Sequence, residues 1–120
     1  MPDKIKLAEK FQAIDAPWQP KIAASFNGQD LKLAKFHGEF PWHRHLEEDE
    51  MFLVLKGEIV IRLREGDVSL SEGEAFVVPK GVEHAPMAEE EAWVVMLEPA
   101  GTVNTGDQIN DRTVLAPERI

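Results

Sequence analysis

Apolar residues change their rhythm once along the chain. Between Lys4 and Ile14, the residues Ile5, Leu7, Ala8, Phe11 and Ile14 fall at helical spacing. Asp3 is a candidate N-cap for that helix and Pro17 stops it. After Pro20 the period drops to two. Lys21–Phe26 and Leu31–Phe36 flank Asn27-Gly28, a pair that supplies the positive φ angles of a tight hairpin turn. Short β-rich runs follow at Met51–Leu55, Ile59–Leu63, Val68–Leu70, Ala75–Val78 and Ala92–Leu97, each closed by glycine, proline or acidic residues. Strands this short and this regularly punctuated predict an all-β sandwich or barrel. Helical segments are too few to supply the crossovers of a parallel α/β sheet.

The last stretch, Ala100 to Ile120, is polar and carries Gly101, Gly106 and Pro117. Its apolar residues Val114, Leu115 and Ile120 are candidates to dock on the body or on a second subunit. The expected organisation is one domain, with a helical arm over 1–19, a β-barrel over 20–98 and a C-terminal extension over 99–120.

Composition narrows the chemistry. At 120 residues the chain has the size of one domain and can bury a core without disulfides or a folding metal. Its 13 Lys and Arg stand against 22 Asp and Glu, a formal net charge of −9. Nucleic acid is an unsuitable partner for such a chain, because phosphate binding needs clustered cations, and so is an anionic membrane surface. With no cysteine there is no thiol nucleophile, no disulfide and no thiolate metal site. The start, Met1-Pro2-Asp3-Lys4, lacks the features of a signal peptide, and no apolar run approaches the roughly 18 residues of a spanning helix. The expectation is a soluble cytoplasmic protein whose chemistry rests on histidines, carboxylates, hydroxyls and backbone.

There are four histidines, and their placement is the main functional signal. His43 and His45 stand at i and i+2, so on a strand both rings share a face. Glu50 follows at the head of the Met51–Leu55 strand, and His84 lies just beyond the turn Pro79-Lys80-Gly81. Taken alone, the His pair reads as a solvated turn and Glu47-Glu48-Asp49-Glu50 as a charged loop. Three imidazoles and a carboxylate meeting at one point would instead make a site for a divalent metal.

Two spaced motifs favour the second reading. His43-Arg44-His45, four residues, Glu50, six residues, Gly57 is the first; Gly73, five residues, Pro79-Lys80-Gly81, two residues, His84 is the second. Together they resemble the two motifs of the cupin superfamily, and the intervening segment resembles that of small single-domain microbial cupins. The match has two departures: Gly38 leaves four residues before His43 where the motif has five, with His37 in the expected place, and the closing Asn of the second motif is Ala88. The resemblance implies a single-domain cupin-type jelly-roll β-barrel in which His43, His45, Glu50 and His84 bind one divalent ion, Fe, Mn, Ni, Co, Cu or Zn. The physics is consistent with this, since polar groups aimed into an apolar barrel are costly unless something pairs them.

Alternation then puts Phe52 and Val54 on the face of Glu50, and Pro86 on that of His84. Trp42 is expected to face away from the site, whereas Trp18 and Trp93 are open between core, rim and interface. His37 is open between a surface residue and a partner of the site. Glu83 and Glu39 are candidate proton-transfer groups by proximity alone. Four protein ligands on an octahedral ion leave two adjacent positions for a small oxygenated ligand or O₂. The leading expectation is therefore a metal-dependent enzyme of dioxygenase, isomerase or lyase type. The alternative is a non-catalytic metal- or metabolite-binding cupin, because the fold alone does not establish catalysis. A homodimer is expected, since open sheet edges invite pairing.

Overall fold

The computed structural model of the protein describes residues 3–120. One short helix, α1 (Leu7–Gln12), precedes β1 (Lys21–Phe26), β2 (Gln29–Glu39), β3 (Glu50–Lys56), β4 (Ile59–Leu63), β5 (Val68–Leu70), β6 (Ala75–Val78) and β7 (His84–Pro99). The helix is shorter than its periodicity predicts, and Lys6 rather than Asp3 occupies the cap, with no side-chain cap bond. What holds so short a helix is tertiary packing: Phe11 and Ile14 are buried against Leu33 and Val95, and the Phe11 ring stacks on Trp93 with centroids 5.0 Å apart.

All strand pairs are antiparallel and run in the order β1-β2-β7-β3-β6, with β4 pairing β7 and β5. The long strand β7 organises the rest. Its His84–Met87 end pairs with β4 and its Trp93–Leu97 end with β3, while β2 follows it on the other side. The sequence pattern predicts only Ala92–Leu97 here, because Glu89-Glu90-Glu91 looks like a break. Those three residues are instead the exposed, strand-forming middle of β7. None of the three has a ladder partner; the pairs on either side of them, Gly38 with Ala88 and Phe36 with Ala92, carry the strand across the irregularity.

Alternation sorts each strand between two apolar layers. On β2, Ala34 and Phe36 enter the inner core while Leu33 faces α1; on β7, Val94 and Met96 go inward while Val95 joins Leu33. Phe52, Val54, Ile59 and Ile61 complete the inner layer, as the Glu50 phase predicts. Trp18 belongs to that layer too, packed between Phe36 and Phe40, and Trp93 belongs to the outer one.

The C-terminal segment folds back along the body. Ile120 packs against the outer layer, and the backbone of Ile22 bonds to both Glu118 and Ile120. Leu115 stays exposed and Val114 half-buried. Nearer β7, Thr102 and Thr105 are buried, and the turn Val103–Asp107 lies against Arg44.

Candidate metal centre

Backbone pairing brings the two histidine segments together. His43 and His84 form an antiparallel bridge, with the His43 N–H donating to the His84 carbonyl (3.0 Å) and the reverse bond at 2.9 Å. The Gly81 N–H donates to the His45 carbonyl at 2.7 Å, which requires the φ of +81° that glycine adopts freely. The Lys80 N–H is taken by the Asp49 carboxylate at 2.8 Å. His45 lies outside any strand, yet both side chains of the His pair are buried, with the backbone held by the bridge at His43 and by the Gly81 bond at His45.

The four predicted residues converge. His43, His45, Glu50 and His84 are all buried, and one donor atom of each lies within 4.8 Å of every other. His43 Nδ1–H donates to the Pro41 carbonyl and His84 Nδ1–H to the Val82 carbonyl, each at 2.9 Å. A carbonyl only accepts, so these bonds place the proton on Nδ1 and leave each Nε2 with a free lone pair. Glu50 Oε1 stands 3.4 Å from His45 Nε2 and 3.5 Å from His84 Nε2, long for hydrogen bonds. His84 Nε2 and both ring nitrogens of His45 are buried without a partner. Orphaned buried nitrogens cost stability unless something occupies them, and three imidazoles with one carboxylate form a donor set suited to a borderline divalent ion. The residues present therefore fit a metal ion.

The electrostatics are those of a preformed cation site. Burial pushes the His43 pKa down from 6.5 to about 4, helped by the neighbouring His84. Burial opposes charge on His45 as well, but the Glu50 carboxylate outweighs it and raises that pKa. Glu50 itself is held well below the usual carboxylate range: the surrounding Glu98, His45 and His84 more than offset its burial. For protein stripped of metal by a chelator, these shifts predict a pH signature. Between pH 6.5 and about 4 the unfolded chain carries a proton on His43 that the folded chain does not, so stability falls as pH drops through that window. His45 acts in the opposite sense: its contribution is full below pH 6.5 and is lost as pH rises through its raised folded value. Denaturant titrations from pH 6.5 down to 4.5 should show a loss of about 2 kcal/mol attributable to His43, which His43→Gln flattens. Parallel pH curves for the two proteins would refute this.

A small cavity of about 30 Å³ opens beside the cluster, walled by Trp18, Phe36, Phe40, Phe52, Pro86 and Met96, with Glu98 and Asn104 as further polar groups. Its volume is about the share of one water. Glu98 escapes the sequence reading, and so does Lys32. Lys32 Nζ lies 2.9 Å from Glu98 Oε1 and donates to the Thr102 carbonyl at 2.9 Å, with both side chains 2% exposed. The signal was present, since Lys32 continues the inward phase of Ala34 and Phe36, and Glu98 that of Val94 and Met96. Burial and the charge of Glu50 push the Glu98 pKa well up, with Lys32 opposing in part. Glu98 Oε2 is buried without a partner.

Other sequence candidates are not brought to the site. Glu39 pairs with Arg62 at 2.7 Å and Glu83 with Arg64 at 3.5 Å, both in solvent, so neither is placed for proton transfer there. His37 is exposed, and its carbonyl accepts the Trp18 indole N–H. Trp42 faces away, with the Arg64 guanidinium 3.7 Å over its ring.

Residues 32–99 match the cupin domain family, which covers more than half of the chain. The chain is a cupin. A cupin-2 domain containing protein from Shewanella frigidimarina superposes on this cupin with a TM-score of 0.78 at 42% identity, covering 79% of this chain and 93% of that one. The uncharacterized protein YdbB of Bacillus subtilis is 37% identical over 59 residues, 48% of this chain and 52% of its own. A 3-hydroxyanthranilate 3,4-dioxygenase of Ruegeria pomeroyi is 35% identical over 66 residues, 51% of this chain and 37% of its own. The cupin thus spans about half or less of the length of these curated relatives.

Proposed function

We propose that this cupin is a metal-dependent enzyme acting on a small oxygenated metabolite, with His43, His45, Glu50 and His84 as the ligands of one divalent ion. The observation that carries the reading is the convergence of four buried donor groups, among which His84 Nε2 and both ring nitrogens of His45 have no partner. In this reading the strands curve into the jelly-roll barrel of the family, and the ion sits inside it. A bound divalent ion would supply Lewis acidity toward ligand oxygens. The protein would supply the rest: His43 and His84 fixed by their Nδ1 bonds to Pro41 and Val82, and aromatic walls that exclude water. Among dioxygenase, isomerase and lyase chemistries, the similarity to the Ruegeria enzyme supports dioxygenation as the first to assay.

Elemental analysis of protein purified without an affinity metal, before and after reconstitution, tests the ligand set. About one ion per chain is expected, and none after reconstitution would refute the reading. Oxygen uptake by the loaded protein with catechols and aminophenols then tests the reaction class. The cavity favours one competitor, a non-catalytic metal-binding cupin, because about 30 Å³ is small for an organic ligand. Stoichiometric metal without turnover of any oxygenated substrate would support that competitor. The proposal includes a homodimer: β6 ends the strand order and its Val77 is half exposed, leaving an apolar edge for a second copy. Light scattering showing a monomer at micromolar concentration would count against it.

A further inference from the structure

Among the described residues, two that are not glycine hold a positive φ, Asn27 and Trp18. Asn27 belongs to the Asn-Gly hairpin turn, where that conformation is expected. Trp18, at +62°, follows Pro17 in a turn, at a place where a positive φ normally calls for glycine. A bulky residue rarely adopts this conformation, which persists only where surrounding contacts impose it and which clusters at functional sites. Here the contacts are plain. The Trp18 N–H donates to the Lys35 carbonyl and the indole Nε1–H to the His37 carbonyl, each at 2.9 Å. The ring packs on Phe36 and Phe40, with centroids 4.5 and 4.8 Å away.

The indole is thereby pinned as a wall of the cavity that His43 and Glu50 also line. Most of the apolar walls are fixed by strand ladders: Phe36 on β2, Phe52 on β3, Pro86 and Met96 on β7. Trp18 instead enters from the connection between α1 and β1, and it is the bulkiest side chain of the lining. A glycine would meet the needs of the turn without strain and leave the volume of the indole to a ligand. The chain carries tryptophan there at a conformational cost, and what the indole does is take up space beside the metal ligands.

We propose that Trp18 is a specificity-determining residue whose indole sets how large an oxygen ligand can bind at the metal, favouring compact bidentate ligands over bulkier ones. The inference rests on the metal-binding reading above and on no particular reaction class.

The test uses the full chain loaded with Co²⁺ and titrated, by visible absorption, with two probes that chelate through two oxygens: acetohydroxamate, which is compact, and 4-nitrocatechol, which is bulky. Across Trp18→Phe, Trp18→Leu and Trp18→Gly, 4-nitrocatechol should bind progressively more tightly while acetohydroxamate stays close to wild type. The ratio of the two affinities should shift toward 4-nitrocatechol by about 10-fold or more in the smallest variant that folds, since even one methylene of pocket space is worth about 10- to 200-fold in discrimination. If Trp18→Gly does not fold, Trp18→Phe and Trp18→Leu keep apolar packing and give the same reading. A ratio unchanged from wild type to Trp18→Leu would overturn the proposal. Both probes gaining affinity in parallel would overturn it as well, because the site would then have loosened rather than widened. Wild type taking up no divalent ion would overturn the metal reading itself, a result seen before either probe is added.

Discussion

Substituting His84→Ala is expected to lower divalent-metal affinity by at least about 100-fold, since removing even an outer partner of a ligand costs 10- to 100-fold. His84 is the most central member of the cluster. It is fully buried, its Nε2 lies 3.5 Å from Glu50 Oε1, and its ring centroid is 4.4 Å from that of His43. The variant should nevertheless fold. The two bonds of the His43–His84 bridge use backbone atoms that alanine keeps, and the lost packing is partly offset by removing a buried nitrogen with no partner. The contrast therefore lies in the response to metal. At a metal concentration 100 times its dissociation constant, wild type should gain about 2.7 kcal/mol of stability, and His84→Ala should gain almost none. Unfolding curves with and without Zn²⁺, paired with elemental analysis, measure this. An alanine variant that keeps one equivalent of metal would remove His84 from the ligand set.

Gly106→Ala should destabilise the chain by about 3–5 kcal/mol. Gly106 adopts φ +58°, where a side chain costs about 1–2 kcal/mol. A Cβ there would also collide with the Arg44 carbonyl oxygen and approach His43 Cδ2 to 3.1 Å. The obstacle is backbone and cannot swing aside, so overpacking of about 1–3 kcal/mol follows. That same Arg44 carbonyl accepts the Asp107 N–H at 2.9 Å, while the Asp107 carboxylate takes the Arg44 N–H at 3.2 Å. The Arg44 N–H contributes most to holding the Asp107 carboxyl below its ordinary pKa. Pushing the turn away would break these two bonds at about 1 kcal/mol each and loosen the segment behind His43. Chemical denaturation should show the loss at any metal concentration, along with weaker metal binding. If Gly106→Ala matches wild type in both, the C-terminal turn does not buttress the site.

Much of the site was legible because its signals are local. The His43–His45 spacing, the phase of Glu50 with Phe52 and Val54, and the turn before His84 all follow from strand period two and from Gly and Pro chemistry. Local signals also misled. Glu89-Glu90-Glu91 hid the first half of β7, whose strand character comes from pairing with β4 over His84–Met87 and with β2 at Met87 and Ala88 rather than from its own residues. The α1 helix was overextended because periodicity marks a face without marking where packing stops: Phe11 and Ile14 are buried while Ile5 remains 40% exposed.

By itself, then, the sequence determined the strand rhythm and the order of the two motifs, which depend on neighbours within a few positions, and the absence of thiol chemistry. That His43, His45, Glu50 and His84 meet was implied by the resemblance to cupins and is brought about by the pairing of distant segments. Tertiary structure alone decided what stands behind those four residues. Lys32 and Glu98 are 66 positions apart, and only the β2–β7 register makes them one ion pair beside Glu50. Gly106 and Arg44 are likewise joined by the return of the C-terminal segment, and Glu39 and Glu83 are sent to solvent by Arg62 and Arg64. Period and spacing say which way a side chain points; which distant charge it meets there depends on strand register and chain return, and no local pattern encodes those.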